Sequence, residues 1–127
     1  ARHSSQLPVD KVRLRRFDDT YSIEIPAVGD LEFERGWIAA DITFRGERAR
    51  YVCTHLEALS GSVREAQAEQ LIEWLSGTNL PVAILGDTNA LPPTSVYQQF
   101  TDAGYTDAWA VNHGLFEARR AVRMLTC

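Results

Sequence analysis

Leu80-Pro81-Val82-Ala83-Ile84-Leu85-Gly86-Asp87-Thr88-Asn89 decides how the rest of this chain is read. Residues 82–85 are uncharged and rich in β-formers, the pattern of a short strand buried on both faces. Gly86 releases the backbone into a loop. Asp87 and Asn89 then stand at the strand's carboxyl end, where open α/β sheets place their ligand chemistry. A carboxylate only accepts hydrogen bonds, whereas an amide also donates them. The pair therefore suits a phosphate with an attacking water, or a hard metal ion. The same residues also make an ordinary Asx turn, and this stretch alone does not choose between the two.

A second stretch, Arg50-Tyr51-Val52-Cys53-Thr54-His55-Leu56, ends another expected strand in a histidine. A lone histidine is usually a satisfied structural residue. Here the intervening sequence gives it a partner. Ser60-Gly61-Ser62 is a turn, and Ser62 with Glu65 has the S-x-x-E form of a capping box. A helix is expected over 63–76, with Val63, Ala66, Gln70, Leu71, Trp74 and Leu75 on its apolar face and Gly77 as its stop. Strand, helix and strand in this order describe a right-handed crossover that makes the two strands parallel. Their carboxyl ends then point the same way, and His55 converges with Asp87 and Asn89 on one rim.

Thr54-His55-Leu56-Glu57, then Arg64 and Gln67 on the helix, then Gly86-Asp87-Thr88-Asn89 form an ordered series. Arg35-Gly36-Trp37 precedes it and Gly104-Tyr105-Thr106-Asp107-Ala108-Trp109 follows. The series resembles the endonuclease/exonuclease/phosphatase (deoxyribonuclease I-like) superfamily over most of the chain, from about residue 7 to about residue 112. The resemblance implies an α/β fold: part of a four-layer α/β/β/α sandwich, a mixed sheet with helices on one face. It implies a metal-dependent phosphodiester or phosphomonoester hydrolase acting by in-line water attack. Asp87 would orient or deprotonate the water, and is a possible metal ligand. Asn89 would hydrogen-bond the scissile phosphate, and His55 would contact a phosphate oxygen. Magnesium, or manganese, is the implied cofactor. The implied substrates are nucleic acid, a phospholipid head group or an inositol phosphate. Phosphoryl transfer asks the protein mainly for positioning and charge neutralisation, which these residue types supply.

The departures are equally specific. Superfamily members carry an Asn and a metal-binding Glu on earlier strands and end in an Asp-His pair. Neither has a match here, since Asn112-His113 comes too soon after Trp109. Thr88 stands where an aromatic or aliphatic residue is usual. Residues 1–127 are therefore expected to form a single partial domain, resembling the second half of the family's fold, with 114–127 as a divergent tail of near-helical apolar spacing. Such a piece would be an enzyme, an inactive half-domain that self-associates or takes a complementary fragment, or a non-catalytic interaction module. Arg64 and Gln67 lie on the polar side of the helix. Either they are solvated, or they support the His55 loop from behind.

Composition limits the alternatives. The chain has 127 residues, is 45% apolar, and carries a net charge of −4, which argues against a generally basic nucleic-acid binder. No apolar run is long enough to span a membrane. Cys53 is expected to pack as a small hydrophobe, and the two cysteines and His3, His55 and His113 form no zinc spacing. Residues 20–28 and 31–44 are expected as a hairpin turning at Gly29-Asp30, the second strand being open to a bulge at Gly36 around Arg35-Gly36. Lys11, Arg13 and Arg15 would share one strand face, either solvated or steering phosphate. A short helix is expected over 95–103 behind Thr94.

Overall fold

Alternating burial along two long strands places the core. In the strand Gly36–Phe44, Trp37, Ala39 and Asp41 are buried, while Ile38 between them stays half exposed. In the strand Glu47–His55, Val52 and Thr54 are buried and His55 is exposed. A period of two sends these sets to opposite faces of one sheet. The computed structural model describes residues 7–113. His3 and the tail expected over 114–127 lie outside them.

Nine elements follow one another: β1 Val9–Arg16, β2 Tyr21–Ile25, β3 Gly29–Phe33, β4 Gly36–Phe44, β5 Glu47–His55, α1 Gly61–Ser76, β6 Val82–Asp87, α2 Ser95–Asp102 and α3 Ala108–His113. Four strands form a mixed sheet in the order β1-β4-β5-β6. β1 and β5 run antiparallel to β4, and β6 runs parallel to β5. β2 and β3 form a separate two-stranded ribbon. The architecture is α/β, with α1 and α2 packed on one face of the sheet.

That face holds the core: Phe17, Trp37, Ala39, Val52, Leu56, Ala68, Leu71, Leu75 and Val96. Trp37 lies tilted between Phe17 and Trp74, with ring centroids at 4.8 Å and 5.5 Å. Each large apolar side chain buried here contributes roughly 1.5–3 kcal/mol. The opposite face is apolar but open. Leu14, Ile38, Cys53 and Leu85 pair in register across all four strands. Leu14 is 70% exposed and Ile38 is 50% exposed.

Several expectations change here. β6 is not buried on both faces: it is the outer strand of the described sheet, and Leu85 is exposed. Cys53 lies on the open face and is only partly buried. The ribbon turns at residues 26–28, not at Gly29-Asp30, because Ala27 takes the left-handed conformation (φ 66°) that the turn demands. The long strand expected over 31–44 is two strands in separate sheets, divided at Glu34-Arg35. α1 starts earlier, with Ser60 as its cap and its hydroxyl accepting from the Val63 N–H. Ser62 lies inside the helix. A bulge between Asp10 and Arg13, with Lys11 at φ 50°, removes Lys11 from the face that Arg13 and Arg15 share.

Asp41 is a buried charge on the core face. Arg50 grips it with two hydrogen bonds, Nε at 2.7 Å and Nη2 at 3.1 Å, while its guanidinium lies 5.3 Å from the Trp74 ring centroid. Arg48 and Arg13 stand farther off, at 3.5 Å and 3.8 Å. The Arg50 hydrogen bond holds the Asp41 carboxyl below its ordinary value, against the opposing effect of burial.

A carboxylate whose pKa is lower folded than unfolded contributes stability that is complete above the unfolded value near 3.8 and is lost as pH falls through the folded one. The urea midpoint should therefore fall with pH from about pH 5 downward, and Asp41→Asn should flatten that slope while lowering the midpoint at neutral pH. Gly86 has φ +110°, and a Cβ there would lie 2.0 Å from the Thr54 carbonyl oxygen. Gly86→Ala should cost ~3 kcal/mol or more by urea unfolding. Gly104 has φ +94° but open space around it, so Gly104→Ala should cost only about 1–2 kcal/mol.

Candidate functional site

The parallel pairing of β5 with β6 sets His55 directly opposite Asp87 at the carboxyl ends of both strands. His55 Nε2 lies 3.9 Å from Asp87 Oδ2, with the His55 side chain 50% exposed and that of Asp87 only 12%. Asn89 takes the left-handed conformation (φ 49°), which asparagine tolerates better than most residues. There its N–H donates to Asp87 Oδ1 at 2.8 Å, and its Nδ2 donates to the Leu56 carbonyl at 2.8 Å. The Leu56 N–H in turn donates to the Asp87 carbonyl at 2.9 Å. These bonds tie the two strand ends together. They leave Asp87 Oδ2 turned to His55 Nε2, beside a half-exposed imidazole.

The rim borders a concavity of about 510 Å³ on the open face of the sheet, lined by Arg35, Gly36, Thr54, His55, Gly86 and Asp87, among others. Close backbone approach shapes its floor. A Cβ on Gly36 would lie 2.2 Å from the Arg15 carbonyl oxygen, much as one on Gly86 would meet Thr54. The Thr54 hydroxyl donates to the Gly36 carbonyl at 2.9 Å, which holds the start of β4 beside the end of β5.

Support comes from the helix. Gln67 is fully buried, not solvated. Its Oε1 accepts from the Glu57 N–H at 2.8 Å and its Nε2 donates to the Asp19 carbonyl at 2.9 Å. Arg64 donates to the Glu57 carbonyl at 2.8 Å and to the Ala58 carbonyl at 3.1 Å. Both side chains thus hold the loop that leaves His55. Gln67 shares its helix face with Ala68, Leu71 and Leu75, the buried residues of α1. The expected apolar face was set slightly off this stripe, because Val63 and Ala66 are only partly buried.

Two residues given no role from sequence also meet at the site. Arg35 Nη1 lies 3.3 Å from His55 Nδ1, and Arg35 Nε lies 3.7 Å from Glu57 Oε2. Glu57 is fully buried, and its Oε1 accepts from the Leu59 N–H at 2.8 Å. The signal was the Glu that directly follows His-Leu in Thr54-His55-Leu56-Glu57, a charge two residues beyond a buried strand.

No protein-family model matches the sequence, and no curated protein matches it either. Solved structures do match. The catalytic domain of human Nocturnin, with a bound sulfate anion, superposes at a TM-score of 0.62 and 22% identity, over 90% of this chain and 42% of that one. The fold is deoxyribonuclease I-like. A humanized TDP2 of D. rerio shares this deoxyribonuclease I-like fold at a TM-score of 0.55 and 18% identity, over 82% of this chain and 40% of that one. An endonuclease/exonuclease/phosphatase family protein from Bacteroides thetaiotaomicron does so at a TM-score of 0.50 and 22% identity, over 76% and 38%. The chain therefore spans less than half the length of the deoxyribonuclease I-like structures it matches.

The support from α1 is measurable. Gln67→Ala would strand the Glu57 N–H and the Asp19 carbonyl in a dry interior, each such loss costing ~1–3 kcal/mol. Urea unfolding should show a drop of about 2–4 kcal/mol. An unchanged midpoint would mean that water takes over both bonds.

Proposed function

We propose that this chain carries the phosphate-handling rim of a phosphoric ester hydrolase. The observation that carries the proposal is the register of His55 against Asp87 at two parallel strand ends, with Asn89 locked between them. Asp87 Oδ2 is free to accept from an attacking water, because Oδ1 is already taken by the Asn89 N–H. The remaining Asn89 Nδ2 hydrogen donates to a phosphate oxygen. His55 donates from the neighbouring strand end, next to the expanding phosphorus centre. Positioned donors of this kind act by stabilising charge that develops in the transition state. The phosphate ester is of nucleic acid, a phospholipid head group or an inositol phosphate, and the shared fold does not choose among them.

The resemblance implies magnesium or manganese. Among the described residues no cluster of three or more His, Cys, Asp or Glu is placed to hold a metal. Magnesium takes six oxygen ligands, often one or two carboxylates with the rest from water and substrate. Asp87 and the Asn89 amide oxygen do not make such a site by themselves.

The open sheet face favours a second reading of the same residues. Leu14, Ile38, Tyr51 and Leu85 leave a contiguous apolar surface beside the rim, larger in character than scattered surface leucines. Such a chain would be an inactive half that works only when a second copy or a complementary fragment covers that face. Turnover per chain that rises with protein concentration would support it.

Hydrolysis of bis(p-nitrophenyl) phosphate, with magnesium or manganese titrated in, tests the proposal. Asp87→Ala should lower turnover by ~10²–10⁴-fold, the usual contribution of one acid–base group, in a variant whose amide spectrum shows it folded. Turnover equal in wild type and Asp87→Ala would refute the assignment.

A further inference from the structure

Glu57 presents a puzzle that the rim does not explain. It is a fully buried carboxylate whose Oε2 has no hydrogen-bond partner, and the Arg35 Nε beside it has none either. An ionised carboxylate withdrawn from water is costly unless a counter-charge stands close by. Arg35 supplies that charge at 3.7 Å. The backbone of Arg35 is fixed in turn, because its carbonyl accepts from the N–H of buried Phe17 at 2.9 Å. Neighbouring Glu34 does not compete for Arg35, since it pairs with Arg16 at 2.9 Å on the surface.

We propose that Arg35, clamped by the buried Glu57 carboxylate, is a positioning residue that fixes the tautomer of His55. A guanidinium has five donors and no acceptor. At 3.3 Å from Arg35 Nη1, the Nδ1 of a neutral imidazole must therefore accept, and its proton sits on Nε2. Nε2 is the nitrogen that faces Asp87 Oδ2. The clamp thus turns an N–H, and not a lone pair, toward the place where a phosphate oxygen would lie. The arrangement runs Glu57 carboxylate, Arg35 guanidinium, His55 Nδ1, and then Nε2–H toward the rim. Its consequence for turnover rests on the hydrolase function proposed above; the tautomer itself does not.

The test is a long-range proton–nitrogen correlation spectrum of the ¹⁵N-labelled full chain, recorded where the imidazoles are neutral. His55→Gln identifies the His55 signals among the three histidines. In the wild type, His55 Nδ1 should show the shift of an unprotonated nitrogen and Nε2 that of a protonated one. A protonated Nδ1 overturns the proposal, and this reading needs no variant to fold. Arg35→Met should move both nitrogens toward the averaged shifts of free imidazole, with the amide spectrum otherwise preserved. Glu57→Gln should move them in the same direction by less. A pattern unchanged in Arg35→Met, in a variant whose amide spectrum shows it folded, also overturns it. In the hydrolysis assay Arg35→Met should lower kcat by ~10²-fold with KM little changed, as misplacement of an acting group does. If no variant and no wild type turns over, the hydrolase assignment fails, while the tautomer result stands or falls by the spectrum alone.

Discussion

The parallel register of β5 and β6 is the constraint on which the site depends. Because the side-chain period is two, a slip of one residue would turn His55 toward the helices and send Thr54 to the rim. Hydrogen bonds at the strand ends prevent it. The Leu56 N–H on the Asp87 carbonyl, and the Asn89 amide on the Leu56 carbonyl, sew the strand ends together. Gly86 permits the approach, since its missing side chain is what lets the Thr54 carbonyl pass. Attraction between His55 and Asp87 contributes little to this, because a half-exposed pair at 3.9 Å is screened by water. The site is held by backbone pairing and by the Asn89 side chain.

The sheet has two faces of similar composition and opposite fate. On the helix face, apolar packing around Trp37 is interrupted by buried polar side chains, two of which are fully gripped. Asp41 is held by Arg50, and Gln67 spans from the Glu57 N–H to the Asp19 carbonyl. Gln67 and Arg64 connect the core to the rim, since both bind the segment immediately after His55. On the other face, Leu14, Ile38 and Tyr51 remain open, with the concavity and its charged lip at one end. Charge and apolar surface thus lie side by side, with Arg35 at the boundary.

Legibility in the sequence tracked the range of each interaction. The β5-α1-β6 unit is readable because a buried strand, a helical stripe and a glycine stop are local patterns. The convergence of His55, Asp87 and Asn89 follows from that unit alone. Errors fell where two local choices were equivalent or where a distant partner decided. Ser60 and Ser62 are both competent caps, and the one placed to receive the Val63 N–H took the role. At the break at Glu34-Arg35 the one local mark is Gly36, which reads equally well as a bulge, because the break arises from β3 and β4 joining different sheets. Gln67 could have been placed inside, since it precedes Leu71 and Leu75 at helical spacing. Its polarity hid this, because nothing nearby in sequence shows that an Asp19 carbonyl waits for it.

The amino-acid sequence by itself determined the crossover, the polar strand ends and the residue types at the rim, because these depend on periodicity and turn chemistry within about forty residues. Only the tertiary structure decided that Arg35, from a loop twenty residues before His55, stands against its imidazole, and that a buried Glu57 holds it there. It also decided which sheet face the helices cover. Such contacts are set by how strands from separate parts of the chain stack, and the cost of an unpaired buried charge then selects the partner.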